Sequence, residues 1–203
     1  NILIMQYIDE GKLTLDTKVV DFLPIFAKYS KKYITIRHCL AGMTGIEMKK
    51  DETCNGLARK SESLEEMVNS IVKKEIRTNA GEDYFYTNVG LVIAARVVEI
   101  IGKKGFEQLI AQRVLKPLGM KNTFVFSIAD TAKYVPSYNY NNAPFLLESL
   151  DCVYGDKNVY STVKDMLLWD LALYDTSFIS KAIIQKAFTP YSNEKPGKKN
   201  YGL

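Results

Sequence analysis

The residues best suited to chemistry stand in one run, Gly81-Glu82-Asp83-Tyr84-Phe85-Tyr86-Thr87-Asn88-Val89-Gly90. Directly after it, from Val89 to Ile101, only Gly90, Arg96 and Glu99 are not hydrophobic. A helix so apolar on nearly every side must be buried on most faces. The tripeptide Tyr86-Thr87-Asn88 therefore sits at the mouth of a buried helix. Asn is a favoured N-cap there, and the N–H groups of the first turn carry partial positive charge. Such a mouth suits an anion or a polarised carbonyl. The same residues also admit a plainer role, with Asn88 only capping and Tyr86 only packing, and by themselves they leave both open.

The rest of the composition removes competing chemistries. Hydrophobic residues make up 47% and charged residues 25% of the 203, the balance of a globular protein, and no apolar run reaches the ~20 residues that span a bilayer. The net charge of +4 comes with lysines scattered in twos, as in Lys31-Lys32 and Lys49-Lys50, without an arginine-rich reading surface, so no nucleic-acid partner is expected. Cys39, Cys54 and Cys152 form no C-x-x-C pair, and neither a disulfide framework nor a metal site is expected. The single histidine, His38, rules out an H-E-x-x-H metalloprotease, and the absence of G-x-S-x-G rules out a nucleophile-elbow hydrolase. His38 itself, between Ile34-Thr35-Ile36-Arg37 and Cys39-Leu40, reads as a hydrogen-bonded structural residue rather than a base.

Several elements must hold that mouth in place. The chain opens inside a hydrophobic helical run, Ile2 to Ile8, closed at Gly11, and this opening reads as the interior of a longer protein whose targeting signal lies upstream. Ile34-Thr35-Ile36 is a short β segment or the cap of a helix over His38 to Leu40. Ser63-Leu64-Glu65-Glu66 is a capping box ahead of Leu64, Met67, Val68, Ile71 and Val72, predicting an amphipathic helix to about Ile76. Helices are also predicted over Phe106–Leu115, Met166–Tyr174 behind a Thr162 cap, and Ile179–Phe188, with a strand at Thr123 to Phe126 and a stop at Gly102. Residues 47–62 read as polar and exposed, and 134–158 as a long loop of the kind that often carries function.

Taken together, several segments resemble the penicillin-recognising serine hydrolases: class C β-lactamases, DD-peptidases and related esterases. Tyr7 to Asp16 resembles the end of that family's nucleophile helix and the turn after it. Ile34-Thr35-Ile36-Arg37-His38-Cys39-Leu40 with Thr44-Gly45-Ile46, Val114 to Thr123 around Pro117-Leu118-Gly119-Met120, and Gly155 to Asp165 around Val159-Tyr160-Ser161-Thr162 resemble three further family blocks, in the family's order. The resemblance implies an acyl-serine mechanism and makes Tyr86-Thr87-Asn88 the family's Tyr-x-Asn motif. Tyr86 is then catalytic, shuttling protons between serine, water and leaving group. Its phenol, with an ordinary pKa of about 10, needs neighbouring lysines to act at neutral pH. Asn88 is then substrate-binding, donating to the acyl-amide carbonyl and holding the catalytic lysine.

The resemblance also implies two parts absent from these 203 residues: a Ser-x-x-K just before Asn1 and a Lys-Thr-Gly or His-x-Gly strand after Leu203. Three S-x-x-K spacings do occur, Ser70/Lys73, Ser161/Lys164 and Ser192/Lys195, but about one is expected by chance in so lysine-rich a chain, and none is read as the nucleophile. Lys195-Pro196-Gly197 reads as a turn. Gly42-Met43 and Ala80 depart from the family's His-Thr and Pro. The fold expected is α+β, mainly α, with only short strands, as a single incomplete domain over residues 1–203 that exposes an apolar face where the missing sheet packs. The function that the resemblance implies is that of a serine hydrolase cleaving a β-lactam, D-alanyl peptide or small ester in the bacterial periplasm or cell envelope, with no cofactor. The chain by itself is expected to be inactive. The alternative is a non-catalytic binding or regulatory module on the same fold.

Overall fold

A 14-residue helix whose sequence is apolar on almost every side needs neighbours on almost every side, and the architecture follows from that demand. The computed structural model describes residues 1–29, 31–46, 63–85, 87–126, 135–136, 138–144, 155, 158–191 and 202–203. Among them the α-helices are α1 (Ile2–Asp9), α2 (Ile25–Lys28), α3 (Ile36–Leu40), α4 (Leu64–Ile71), α5 (Val89–Gly102), α6 (Phe106–Ile110), α7 (Val163–Ala172) and α8 (Lys181–Phe188). Strands β1 (Phe124–Val125) and β2 (Val159–Tyr160) pair antiparallel, Phe124 opposite Tyr160. This is the α+β, mainly helical fold that the sequence predicts.

Helix α5 is the centre. Val89, Val92, Ile93 and Val97 are wholly buried, and α3, α4, α6 and α1 all pack on it. Burying each such side chain stabilises by ~1.5–3 kcal/mol. Gly90 sets how near α3 comes: a Cβ there would fall on the Cys39 carbonyl oxygen. At the other end the helix runs through Gly102 and turns out at Lys103, which is left-handed at φ 52°. Gly102 is thus not the stop that the sequence suggests. It stays helical and leaves room for Tyr7 and Leu109, whose side-chain atoms would lie 2.6 and 2.5 Å from an added Cβ.

Local signals explain most other elements. After α1, Gly11 at φ 69° closes a Schellman turn, its N–H donating to the Ile8 carbonyl at 3.0 Å and that of Lys12 to Tyr7 at 2.9 Å. The Ser63 hydroxyl accepts from the Glu66 N–H, and Leu64, Met67, Val68 and Ile71 are buried behind it. Helix α4 ends at Ile71, short of the predicted Ile76. No apolar residue follows Val72 until Ile76, and that residue pairs with Ile46 as a β-bridge. Thr35 is both things predicted of it, bridging to Lys18 and capping α3.

The predicted helix Phe106–Leu115 widens into a π-turn over Ala111–Leu115. There the Arg113 carbonyl accepts from the Gln6 side-chain amide at 3.2 Å, while the Arg113 Nε–H donates back to Gln6 Oε1 at 3.2 Å and the guanidinium lies over the Tyr7 ring. Pro117 has no N–H to offer the Arg113 carbonyl, so the helix cannot run on regularly there, and the Gln6 amide takes the carbonyl that the proline leaves free. The stretch 47–62 and most of 134–158 lie outside the described residues.

Candidate active site

The N-terminal ends of α1 and α5 and the C-terminal end of α3 converge on one cleft of about 780 Å3. Asn88, Thr87 and Tyr84 come from the loop into α5, Ile2 and Met5 from α1, and Gly42 from the turn after α3. Asn88 stands at the N-cap position, but its side chain makes no capping hydrogen bond, and its backbone is helical (φ −83°, ψ −2°) rather than extended. The capping role read from the sequence is therefore not the one that Asn88 plays. Its carbonyl begins the helical ladder by accepting from the Val92 N–H at 3.1 Å. Tyr86 lies outside the described residues.

The loop that carries this segment is tied to the turn after α3. The N–H groups of Arg77, Gly81 and Phe85 donate to the carbonyls of Gly45 (2.8 Å), Met43 (2.9 Å) and Gly42 (2.9 Å). Gly42 and Gly45, both at φ 70°, face Tyr84 and the Thr78 carbonyl so closely that no side chain fits at either. Cys39 also lines the cleft, but burial pushes its thiol pKa up, which keeps it protonated and unreactive.

His38 is structural, as its sequence setting suggests. Its Nδ1 accepts from the Thr35 N–H at 3.2 Å, while the Thr35 hydroxyl accepts from the His38 N–H at 3.4 Å, closing a capping box around α3. Neither Ser70 on α4 nor Ser161 lines the cleft. The Ser161 hydroxyl is instead 2.7 Å from that of Thr123. Ser192 and the Lys195-Pro196-Gly197 turn lie outside the described residues. Among the described residues no cluster of His, Cys, Asp or Glu could hold a metal ion, and no helix is long and apolar enough to cross a membrane.

Sequence reasoning missed the opposite wall, where Trp169 and Leu173 come from α7 and the residue after it, and Ile184 and Phe188 from α8. The one tryptophan of the chain was the available signal. It packs edge-on against Phe178, with centroids 6.3 Å apart.

Comparison with known proteins agrees with this fold. A family model described as Beta-lactamase matches residues 2–203. A penicillin-binding protein of Bacillus subtilis is 26% identical over 96% of this chain and 47% of its own length. A teichoic acid D-alanine hydrolase of Staphylococcus aureus is 22% identical over 100% of this chain and 50% of its own. The chain thus spans about half the length of these curated relatives. The crystal structure of a penicillin-binding protein from Bacillus halodurans superposes with a TM-score of 0.83 at 23% identity, covering 99% of this chain and 64% of that one, a likeness of fold.

Proposed function

The chain belongs to the beta-lactamase family, and from that premise we propose that it forms the mainly helical part of a serine hydrolase that opens an amide or ester through an acyl-serine intermediate. The nucleophilic serine and its lysine come from residues outside these 203, as does the strand that completes the cleft. Support comes from the chain's spanning only about half of its curated relatives and from the absence of Ser70 and Ser161 from the cleft. Residues 1–203 are then one incomplete domain, inactive by itself.

Within the completed cleft Tyr86 takes the proton of the attacking hydroxyl and returns it to the leaving group. Asn88 donates its amide N–H to the substrate's acyl carbonyl and steadies the lysine. The observation that carries this reading is the position of Asn88, at the mouth of the buried helix α5 and in the same cleft as the first residues of α1. The substrate belongs among β-lactams, D-alanyl peptides and D-alanyl or other small esters, and the protein works at the bacterial cell envelope. The relatives named for penicillin and teichoic acid support both points.

Tyr86→Phe in the full-length protein tests the role of the phenol. The substitution removes only a hydroxyl, so folding stays intact while acyl transfer falls by about 10²–10⁴-fold. An unchanged rate contradicts the role given to Tyr86. Full-length protein that binds such ligands without turnover favours a non-catalytic binding module instead.

A further inference from the structure

His38 occupies a second position besides its cap. A Cβ added at Gly81, which sits at φ 91°, would lie 3.0 Å from His38 Nε2, so the far edge of the imidazole rests against the loop that leads to Tyr86 and Asn88. The near edge is fixed at Thr35, whose backbone N–H can only donate. Nδ1 must therefore carry the lone pair, and the ring is neutral when the cap is closed. Between these edges runs α3, only five residues long, whose exit supplies the Gly42 and Met43 carbonyls that receive the Phe85 and Gly81 N–H groups. One ring thus touches both sides of the strapping that sets where Thr87 and Asn88 stand.

We infer that His38 is a positioning residue for the Thr87–Asn88 segment, holding it in register only while the imidazole is neutral, so that mild acid loosens the segment. For catalysis this rests on the proposed role of that segment, and its structural half stands apart from it. Burial and the neighbouring Arg37 hold the His38 pKa below its ordinary value of 6.5, partly opposed by Asp16. Arg37 is itself bound to Asp16 at 2.8 Å. Across the contact, next to Gly81, the Glu82 carboxylate is occupied by the Asn79 N–H and side-chain amide at 2.9 and 2.6 Å. A folded-state pKa below the unfolded one means that the stabilisation is complete above about pH 6.5 and is lost as pH falls through the lowered value.

The test uses the full-length protein as wild type, His38→Gln and His38→Ala. Gln at this position is the ordinary capping-box partner of Thr and does not titrate. Hydrogen exchange of peptides spanning residues 79–88, corrected for intrinsic rate, is followed from pH 7.5 to 5, together with kcat and KM for a small ester. Wild-type protection of the Gly81 and Phe85 amides falls about tenfold with acid, the size expected for losing a cap. The His38→Gln variant stays protected throughout, and His38→Ala is low at both ends. In wild type kcat declines with the same acid limb, and in His38→Gln that limb is gone. Equal acid dependence in wild type and His38→Gln, or full protection in His38→Ala, overturns the inference. If the wild type hydrolyses no ester or amide, the hydrolase reading fails, while the exchange data still decide the part played by His38.

Discussion

Helices α4 and α7 begin alike and end in opposite surroundings. Each is capped by a hydroxyl that accepts from the third residue's N–H, Ser63 from Glu66 at 3.2 Å and Thr162 from Asp165 at 3.3 Å. Yet α4 buries Leu64, Met67, Val68 and Ile71, whereas α7 buries Asp165 and Ala172 and leaves Val163, Leu167 and Leu171 exposed at 88%, 58% and 57%. The difference lies first in the pattern, since α4 gathers its apolar residues on one face whereas α7 (Val163, Met166, Leu167, Leu168, Trp169, Leu171) carries them on nearly every side, and then in Asp165. Burial pushes its carboxyl pKa up, but the hydrogen bonds from the Thr123 hydroxyl (2.8 Å) and the Asn122 N–H (2.7 Å) outweigh that and leave it below the ordinary value. A carboxylate cannot turn away from two such donors without great cost, so Asp165 is held inward, and with apolar residues on nearly every side of α7 some of them must then face out. Where the hydrophobic pattern favours no face, a hydrogen-bonded charge can decide which one is buried.

The sharpest way to break this contrast lies on the closed side, at Gly90. Gly90→Ala drives a methyl group into the Cys39 backbone, where no flexible side chain can yield, and costs about 3 kcal/mol or more. Urea denaturation should show a markedly lower midpoint or no cooperative transition. A wild-type midpoint would mean that α3 and α5 are not in such close contact. Met67→Ala, at a side chain that is 1% exposed, should cost 2–5 kcal/mol in the same assay. Leu171→Ala on α7 should stay within about 0.5 kcal/mol in the 203-residue chain, because more than half of that residue is exposed there. Should Leu171→Ala cost as much as Met67→Ala, the outer face of α7 is covered and the two helices are not opposites.

Much of this architecture was legible because its signals are local. The Gly11 turn, the Ser63 and Thr162 caps, the all-round apolar α5 and the Thr123–Phe126 strand segment each depend on residues a few positions apart. What stayed illegible depends on contacts far apart in sequence. The end of α4 is set partly by Ile46, the partner of the Arg113 carbonyl by Gln6, the need for a glycine at 102 by Tyr7 and Leu109, and the buried face of α7 by Asn122 and Thr123. The site divides in the same way. Asn88 was found from its place before an apolar run, and the structure sets it in the cleft without the capping bond that its type suggests. Trp169 was not found, because nothing near it in sequence says that α7 faces α1 and the loop before α5.

The central claim is that this chain works on an acyl group held by a serine lying outside it. Incubating the full-length protein with a labelled penicillin or an activated ester, and mapping any covalent mass increase to a peptide, tests that claim most directly. The account predicts an adduct on a serine outside residues 1–203 that is followed three residues later by lysine, and none on the 203-residue chain alone. A stable adduct on Ser70, Ser161 or Ser192 would contradict it.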